Sequence, residues 1–228
     1  GLAYIQKFVG TTESPPPLDK LGGVSWKKQK NKIKESVREM AEDLLKLYAQ
    51  RELSTGKSFQ SNPVLLQEFA DSFDYIETDD QMKAIEEVYE DLENEKPMDR
   101  LVCGDVGFGK TEVAMRAAFK VAINDKQVAV LAPTTLLAQQ HYDTFCERFK
   151  AHPINIEMIS RFRSAKEQKV ILEKLKNNQI DIIIGTHKLL GDKIKFPNLG
   201  LIVVDEEQRF GVKHKEKLKK LRASIDIL

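Results

Sequence analysis

The sequence has 228 residues, 41% of them hydrophobic, enough apolar material for one large domain with a core and part of another. Lys and Arg number 36 against 35 Asp and Glu, a formal net charge of +1, so the global balance points to no charged partner and only local clusters can speak for nucleic acid. Two cysteines, Cys103 and Cys146, exclude a disulfide framework and a cysteine-based metal site, and no apolar run reaches the length of a membrane span.

In chain order, residues 2–9 have strand composition but are too few for a domain, and read as one strand of something mostly absent. Thr11 to Val24, with Pro15-Pro16-Pro17 and Gly22-Gly23, reads as a connecting loop. A long helix is expected over 27–52, where Ile33, Val37, Met40 and Leu44 recur three or four apart. Its first half is rich in lysine, which is read as a solvated face before a nucleic-acid surface. Ser54 to Ser61 is a loop, and Asn62-Pro63 starts a short helix, proline being suited to a first turn. A further helix is expected from about Asp80 to Asn94, with Met82, Ile85, Val88 and Leu92 on one face and Thr78 or Asp79 as N-cap. Glu77 to Asp99 carries ten acidic residues against two lysines, so this region is expected to face away from DNA.

Leu101-Val102-Cys103 reads as a strand, with Cys103 a buried thiol in keeping with a reducing cytoplasm. Gly104-Asp105-Val106-Gly107-Phe108-Gly109-Lys110-Thr111 follows, and the Ala-rich run to Asn124 reads as a helix. Strand, glycine loop and helix in that order are the context in which Gly, four residues, Gly-Lys-Thr holds phosphate. Glycines let the backbone approach phosphate oxygens, and the loop N–H groups and helix N-terminus supply positive potential. Lys110 would neutralise the terminal phosphates and the Thr111 hydroxyl would ligate Mg²⁺. Strands and helices then alternate: strands at Val128–Ala132, Ile154–Ile159, Ile180–Ile184 and Leu201–Val204, helices at Thr135–Lys150 and Ala165–Asn177, a helical turn at Thr186–Leu190 and a basic helix from about Lys213 to Leu221. The fold class is α/β, a mostly parallel sheet flanked by helices, preceded by a strand remnant and a long helix. The closing Ile225-Asp226-Ile227-Leu228 and the opening glycine read as the cut ends of an excised fragment.

Leu201–Val204 delivers Asp205-Glu206-Glu207-Gln208 to the end of its strand, where α/β sheets place ligands. Asp205 would hold Mg²⁺ through water, Glu206 would orient or deprotonate the attacking water, and Gln208 is grouped with them. Of the histidines, His141 is assigned to its helix surface, and His152 and His214 to no ligand cluster.

Gly104–Thr111, Ala132–His141, Gly185–Leu190 and Asp205–Val212 resemble motifs I, Ia, Ib and II of superfamily 2 helicases. Their wording is that of the RecG-like branch, and within it of the bacterial translocases that couple transcription to repair. The resemblance covers essentially the whole chain. It implies a RecA-like lobe over 71–228, linker helices over 26–70, and over 1–25 the end of a preceding RNA-polymerase-interaction domain. It implies an ATP-driven double-stranded DNA translocase, cytoplasmic and monomeric, that displaces stalled RNA polymerase and recruits excision-repair proteins, with ATP and Mg²⁺ as cofactors. Gln81 matches the glutamine that reads the adenine edge and Phe73 an aromatic beside the base. Motifs Ia and Ib match loops that grip the DNA backbone, which selects Thr134, Thr135, Thr186, His187 and Lys188. Arg161 and Arg163, at the end of their own strand, join them. Thr134 and Thr135 would cap a helix in any case. The second lobe of such motors, with its arginine finger, lies outside this sequence, so the chain alone is expected to bind nucleotide weakly and turn over negligibly. The other readings are a RecG-type fork-remodelling helicase lobe and a nucleotide-gated DNA-binding module.

Overall fold

A computed structural model describes residues 24–161, 163–191 and 194–228. The strand expected over residues 2–9 and the proline-containing loop lie outside them. The chain divides into two units, Gly1–Lys46 and Leu47–Leu228. Helix α1 (Val24–Leu53) crosses that division. In the second unit its last turn is held by Arg51, whose Nη1 lies 3.3 Å from Asp99 Oδ2 and whose Nη2 donates to the Pro97 carbonyl at 2.9 Å.

The second unit is built on a sheet of five strands, β1 (Gln127–Leu131), β2 (Ile156–Ile159), β3 (Ile182–Gly185), β4 (Leu199–Val204) and β5 (Asp226–Ile227), in the order β2-β3-β1-β4-β5. Every pairing is parallel. The strands are apolar almost throughout because both faces are covered. Val128 and Val130 of β1, Ile182 and Ile184 of β3 and Leu201 and Val203 of β4 enter one core cluster. Their alternates Ala129, Leu131, Ile183 and Ile202 enter another, the period of two that a pleated strand imposes.

The first cluster is closed by α2 (Pro63–Asp71), α3 (Asp79–Glu93), α4 (Lys110–Ala122) and α5 (Thr135–Phe149). Phe69 of α2 stacks on Phe119 of α4 with centroids 4.2 Å apart. The second cluster is closed by α6 (Ala165–Lys176), which inserts Ile171 and Leu175, and by α7 (Val212–Leu221), which inserts Leu218. Helix starts follow local sequence. Asn62, Thr78, Thr134 and Ser164 each accept a backbone N–H from the first turn, satisfying donors that a helix start leaves without partners.

Two expectations fail at the same place. Leu101-Val102-Cys103 forms no strand, and Cys103 and Leu101 are exposed. Asp99 bridges Ile227 in parallel, with Arg100 N–H donating to the Ile227 carbonyl at 3.0 Å. The parallel contact with β5 stops at Arg100. An apolar run without a neighbouring strand has nowhere to place its backbone donors in a ladder.

Candidate active site

The glycine loop leads directly into α4. Gly107 and Gly109 have φ of +87° and +69°, the left-handed region that side chains disfavour. A Cβ at Gly109 would also meet the end of the Gln81 side chain. Gly109 is the N-cap of α4 and offers no side-chain acceptor, so the positive end of the helix opens into the loop. Lys110 Nζ donates to the carbonyls of Gly104 and, at 2.8 Å, Asp105.

Across from it, β4 ends and Asp205 N–H donates to the Leu131 carbonyl at 2.9 Å, fixing the start of the acidic run against the centre of the sheet. His141 Nε2 lies 2.8 Å from Asp205 Oδ2. The hydrogen bond from His141 holds the Asp205 carboxyl below the usual carboxylate range against the opposing effect of burial, and the charges of Lys110 and Arg209 act in the same direction as His141. An ionised carboxylate is the form a hard cation requires. Glu206 has φ +51° and ψ +54°, a left-handed conformation that costs on the order of 1 kcal/mol or more in a non-glycine residue. Arg209 Nε sits 2.6 Å from Glu206 Oε2, and Arg222 Nη2 donates to Glu207 Oε2 at 2.8 Å.

A cavity of about 540 Å³ is lined by Lys110, Thr111, His141, Asp205, Glu206 and Gln208, among others. Residues 95 positions apart in sequence thus face one space. A loop rich in N–H donors, an ammonium within it, a hydroxyl at the helix start and an ionised carboxylate opposite form the donor set that a nucleotide polyphosphate with a divalent cation needs.

The two base-reading candidates are placed differently. Gln81 makes a capping box with Thr78, its Oε1 accepting from Thr78 N–H at 2.8 Å, while its Nε2 donates to the Phe108 carbonyl of the glycine loop at 2.9 Å. Phe73 lines a separate cavity of about 510 Å³ together with Tyr75, Met82, Tyr89 and Arg116.

The remaining candidates follow the C-terminal ends of β1, β2 and β3. In a parallel sheet those ends share one edge with Asp205 after β4, and β1 is the direct neighbour of β4. Thr134 caps α5, accepting from Leu137 N–H at 3.2 Å, and Thr135 is half-buried. Arg161 is exposed, and Arg163 Nη1 is 3.9 Å from Glu167 Oε1. His187 and Lys188 are exposed, whereas Thr186 is buried at 8% exposure, so the two exposed residues carry the outward face of that turn. The His187 ring lies 4.5 Å from that of His214.

Sequence reasoning missed two features. His141 is not on a helix surface: it shares the α5 face that buries Ala138 and Phe145, three positions after one and four before the other, and that spacing was the available signal. Glu112, immediately after Thr111, is a buried anionic hub. Its Oε1 accepts from Arg116 Nε at 2.9 Å and from Arg148 Nη2 at 2.8 Å. Arg116 also pairs with Glu77, and Arg148 Nη2 donates to the Phe69 carbonyl at 2.6 Å. The signal was an (i, i+4) acid–base pair in a helix otherwise apolar on nearly every side.

The sequence profile of the DEAD/DEAH box helicase family matches residues 78–227. The chain belongs to the DEAD/DEAH box helicase family. The match takes in the capping box of α3, the glycine loop and Asp205–Gln208. Transcription-repair-coupling factors are similar to nearly the whole chain. That of Bacillus subtilis (strain 168) is 54% identical over 98% of this chain and 19% of its own length, and that of Escherichia coli (strain K12) is 56% identical over 100% of this chain and 20% of its own. The chain therefore spans about one fifth of the length of these relatives. A structure of RecG bound to a three-way DNA junction superposes with a TM-score of 0.71 at 36% identity, covering 80% of this chain and 24% of that one. Together with the five-stranded parallel sheet, these place the helicase lobe in the RecA-like class, a helicase-type motor lobe.

Proposed function

We propose that this chain is the ATP-binding first motor lobe of an ATP-dependent double-stranded DNA translocase that displaces stalled RNA polymerase and couples transcription to nucleotide excision repair. The observation that carries the reading is the cavity in which Lys110 and Thr111 face Asp205 and Glu206. Bound ATP would supply a phosphoanhydride and Mg²⁺ the charge that makes its cleavage accessible. Lys110 and the loop N–H groups from Gly104 onward would hold the phosphates. Thr111 and Asp205 would hold the metal, and Glu206, with Gln208 beside it, would take the proton of the attacking water. Gln81 and Phe73 would flank the base, Gln81 exchanging its bond to Phe108 for one to adenine. Thr134, Thr135, Arg161, Arg163, His187 and Lys188, with Thr186 behind them, would meet the DNA backbone, the small hydroxyls and cations suiting phosphate rather than base contact. RNA polymerase and repair proteins would be met through other parts of a full-length protein. Identities of 54% and 56% to the coupling factors against 36% to RecG favour this reading over a fork-remodelling lobe.

A second reading, a nucleotide-gated DNA-binding module, draws support from the Glu206–Arg209 pair, which occupies the carboxylate that hydrolysis would use. Single-turnover ATP hydrolysis by the full-length protein and its Glu206→Gln variant separates the two. The motor reading expects a fall of roughly 10²-fold or more with ATP binding retained; unchanged hydrolysis favours the module. The chain alone is expected to hydrolyse ATP negligibly, because loss of an arginine finger alone costs about 10³–10⁵ in turnover. Strong DNA-stimulated hydrolysis by the chain, abolished by Lys110→Ala, would refute that expectation.

A further inference from the structure

Asp205 is the last point at which β4 is tied to the sheet, through its N–H to Leu131. Its side chain still has two free rotations, and a carboxylate that holds a metal through water must present one oxygen in one place. His141 supplies the missing constraint. Its side chain is 17% exposed and its Nε2 stands 2.8 Å from Asp205 Oδ2. An ionised carboxylate only accepts, so Nε2 carries the proton and donates, which also fixes the imidazole tautomer. The imidazole rides on α5, a fifteen-residue helix whose face is packed by Ala138, Phe145 and Phe149, so the donor is fixed by the core and not by a loop.

We propose that His141 is a positioning residue for the metal site, holding Asp205 Oδ2 so that Oδ1 is the oxygen offered to the cation's hydration shell. The proposal rests on the reading of Asp205 as the Mg²⁺ carboxylate. Outer partners of metal-holding groups act in this way, orienting the ligand and setting its basicity. The same helix is capped by Thr134, so the turn proposed to meet DNA adjoins the rigid element that carries the group holding Asp205.

The test is Mn²⁺ binding at the protein, read by the enhancement of water-proton relaxation when Mn²⁺–ATP is taken up by the macromolecule, for the chain and its His141→Leu, His141→Gln, Asp205→Asn and Lys110→Ala variants, with thermal unfolding of each. His141→Leu is expected to weaken Mn²⁺ binding about tenfold while its metal-free unfolding midpoint stays near that of the parent. His141→Gln, whose amide N–H reaches and donates, is expected to recover most of the loss. If His141→Leu does not fold, His141→Asn, too short to reach, is expected to show the same loss. Normal Mn²⁺ binding by His141→Leu (or by His141→Asn in its place) alongside weakened binding by Asp205→Asn overturns the positioning role alone. Normal binding by Asp205→Asn and Lys110→Ala as well overturns the nucleotide-site reading beneath it.

Discussion

Asp205, just past the end of β4, and Asp226, in the neighbouring β5, are driven in opposite directions. Asp205, bonded by His141, is held ionised. Its contribution to stability is present above the pKa of the unfolded chain and is lost as pH falls through its depressed folded value. Asp226 is 2% exposed in β5, and burial pushes it up from 3.8 to about 7, against the hydrogen bond it accepts from Met98 N–H at 2.6 Å, with Asp91 raising and Lys57 lowering it further. The folded state therefore favours the protonated acid. Its stabilising effect is complete below about pH 4, falls as pH rises and levels off above about 7, by at most roughly 4 kcal/mol at about 1.4 kcal/mol per pH unit. Urea denaturation should show the chain losing this stability between about pH 4 and 7, and Asp226→Asn should flatten that slope. An identical slope in the variant would show that another group titrates.

At the scale of elements, α4 and α5 are joined by the Glu112 carboxylate between Arg116 and Arg148. Glu112→Leu leaves the buried Arg116 and the partly buried Arg148 without their shared partner, and breaking a buried pair in this way costs about 3–5 kcal/mol. The unfolding midpoint should drop accordingly, and an unchanged midpoint would mean that the arginines find other acceptors. Thr134 tests a double role. Aspartate caps a helix at least as well as threonine, so Thr134→Asp should keep the fold's stability while its charge weakens DNA binding by the full-length protein at every sequence. Unchanged DNA affinity would leave Thr134 as a cap alone. What could be read from the sequence was local: the N-cap of α3 at Thr78 or Asp79 and that of α5 at Thr134, the (i, i+3, i+4) face of α3, and the alternation that makes a parallel sheet. What could not be read depended on distant partners. Leu101–Cys103 has strand composition, but the pairing with β5 that would extend it stops at Arg100. His141 meets a carboxylate 64 positions away. The bond from Gln81 Nε2 to the Phe108 carbonyl spans 27 positions.

At the scale of the molecule, the parallel order β2-β3-β1-β4-β5 does one decisive thing: it gathers every strand's C-terminal loop at a single edge. Asp205 follows β4, the glycine loop leads into α4 behind it, and the candidate DNA contacts follow β1, β2 and β3 beside them. The proposed nucleotide and DNA groups would be neighbours because the sheet has one direction, which is how a lobe of this class could link the two. The claim beneath all of this is that Gly104–Thr111 and Asp205 form one nucleotide site. Its most direct test is a titration of the purified chain, and of its Lys110→Ala variant, with a fluorescent ATP analogue in the presence of Mg²⁺. Saturable binding by the chain, weakened at least about tenfold in the variant as loss of a charge-assisted phosphate contact predicts, is the expected result. Equal binding by the two, or none by either, would contradict it.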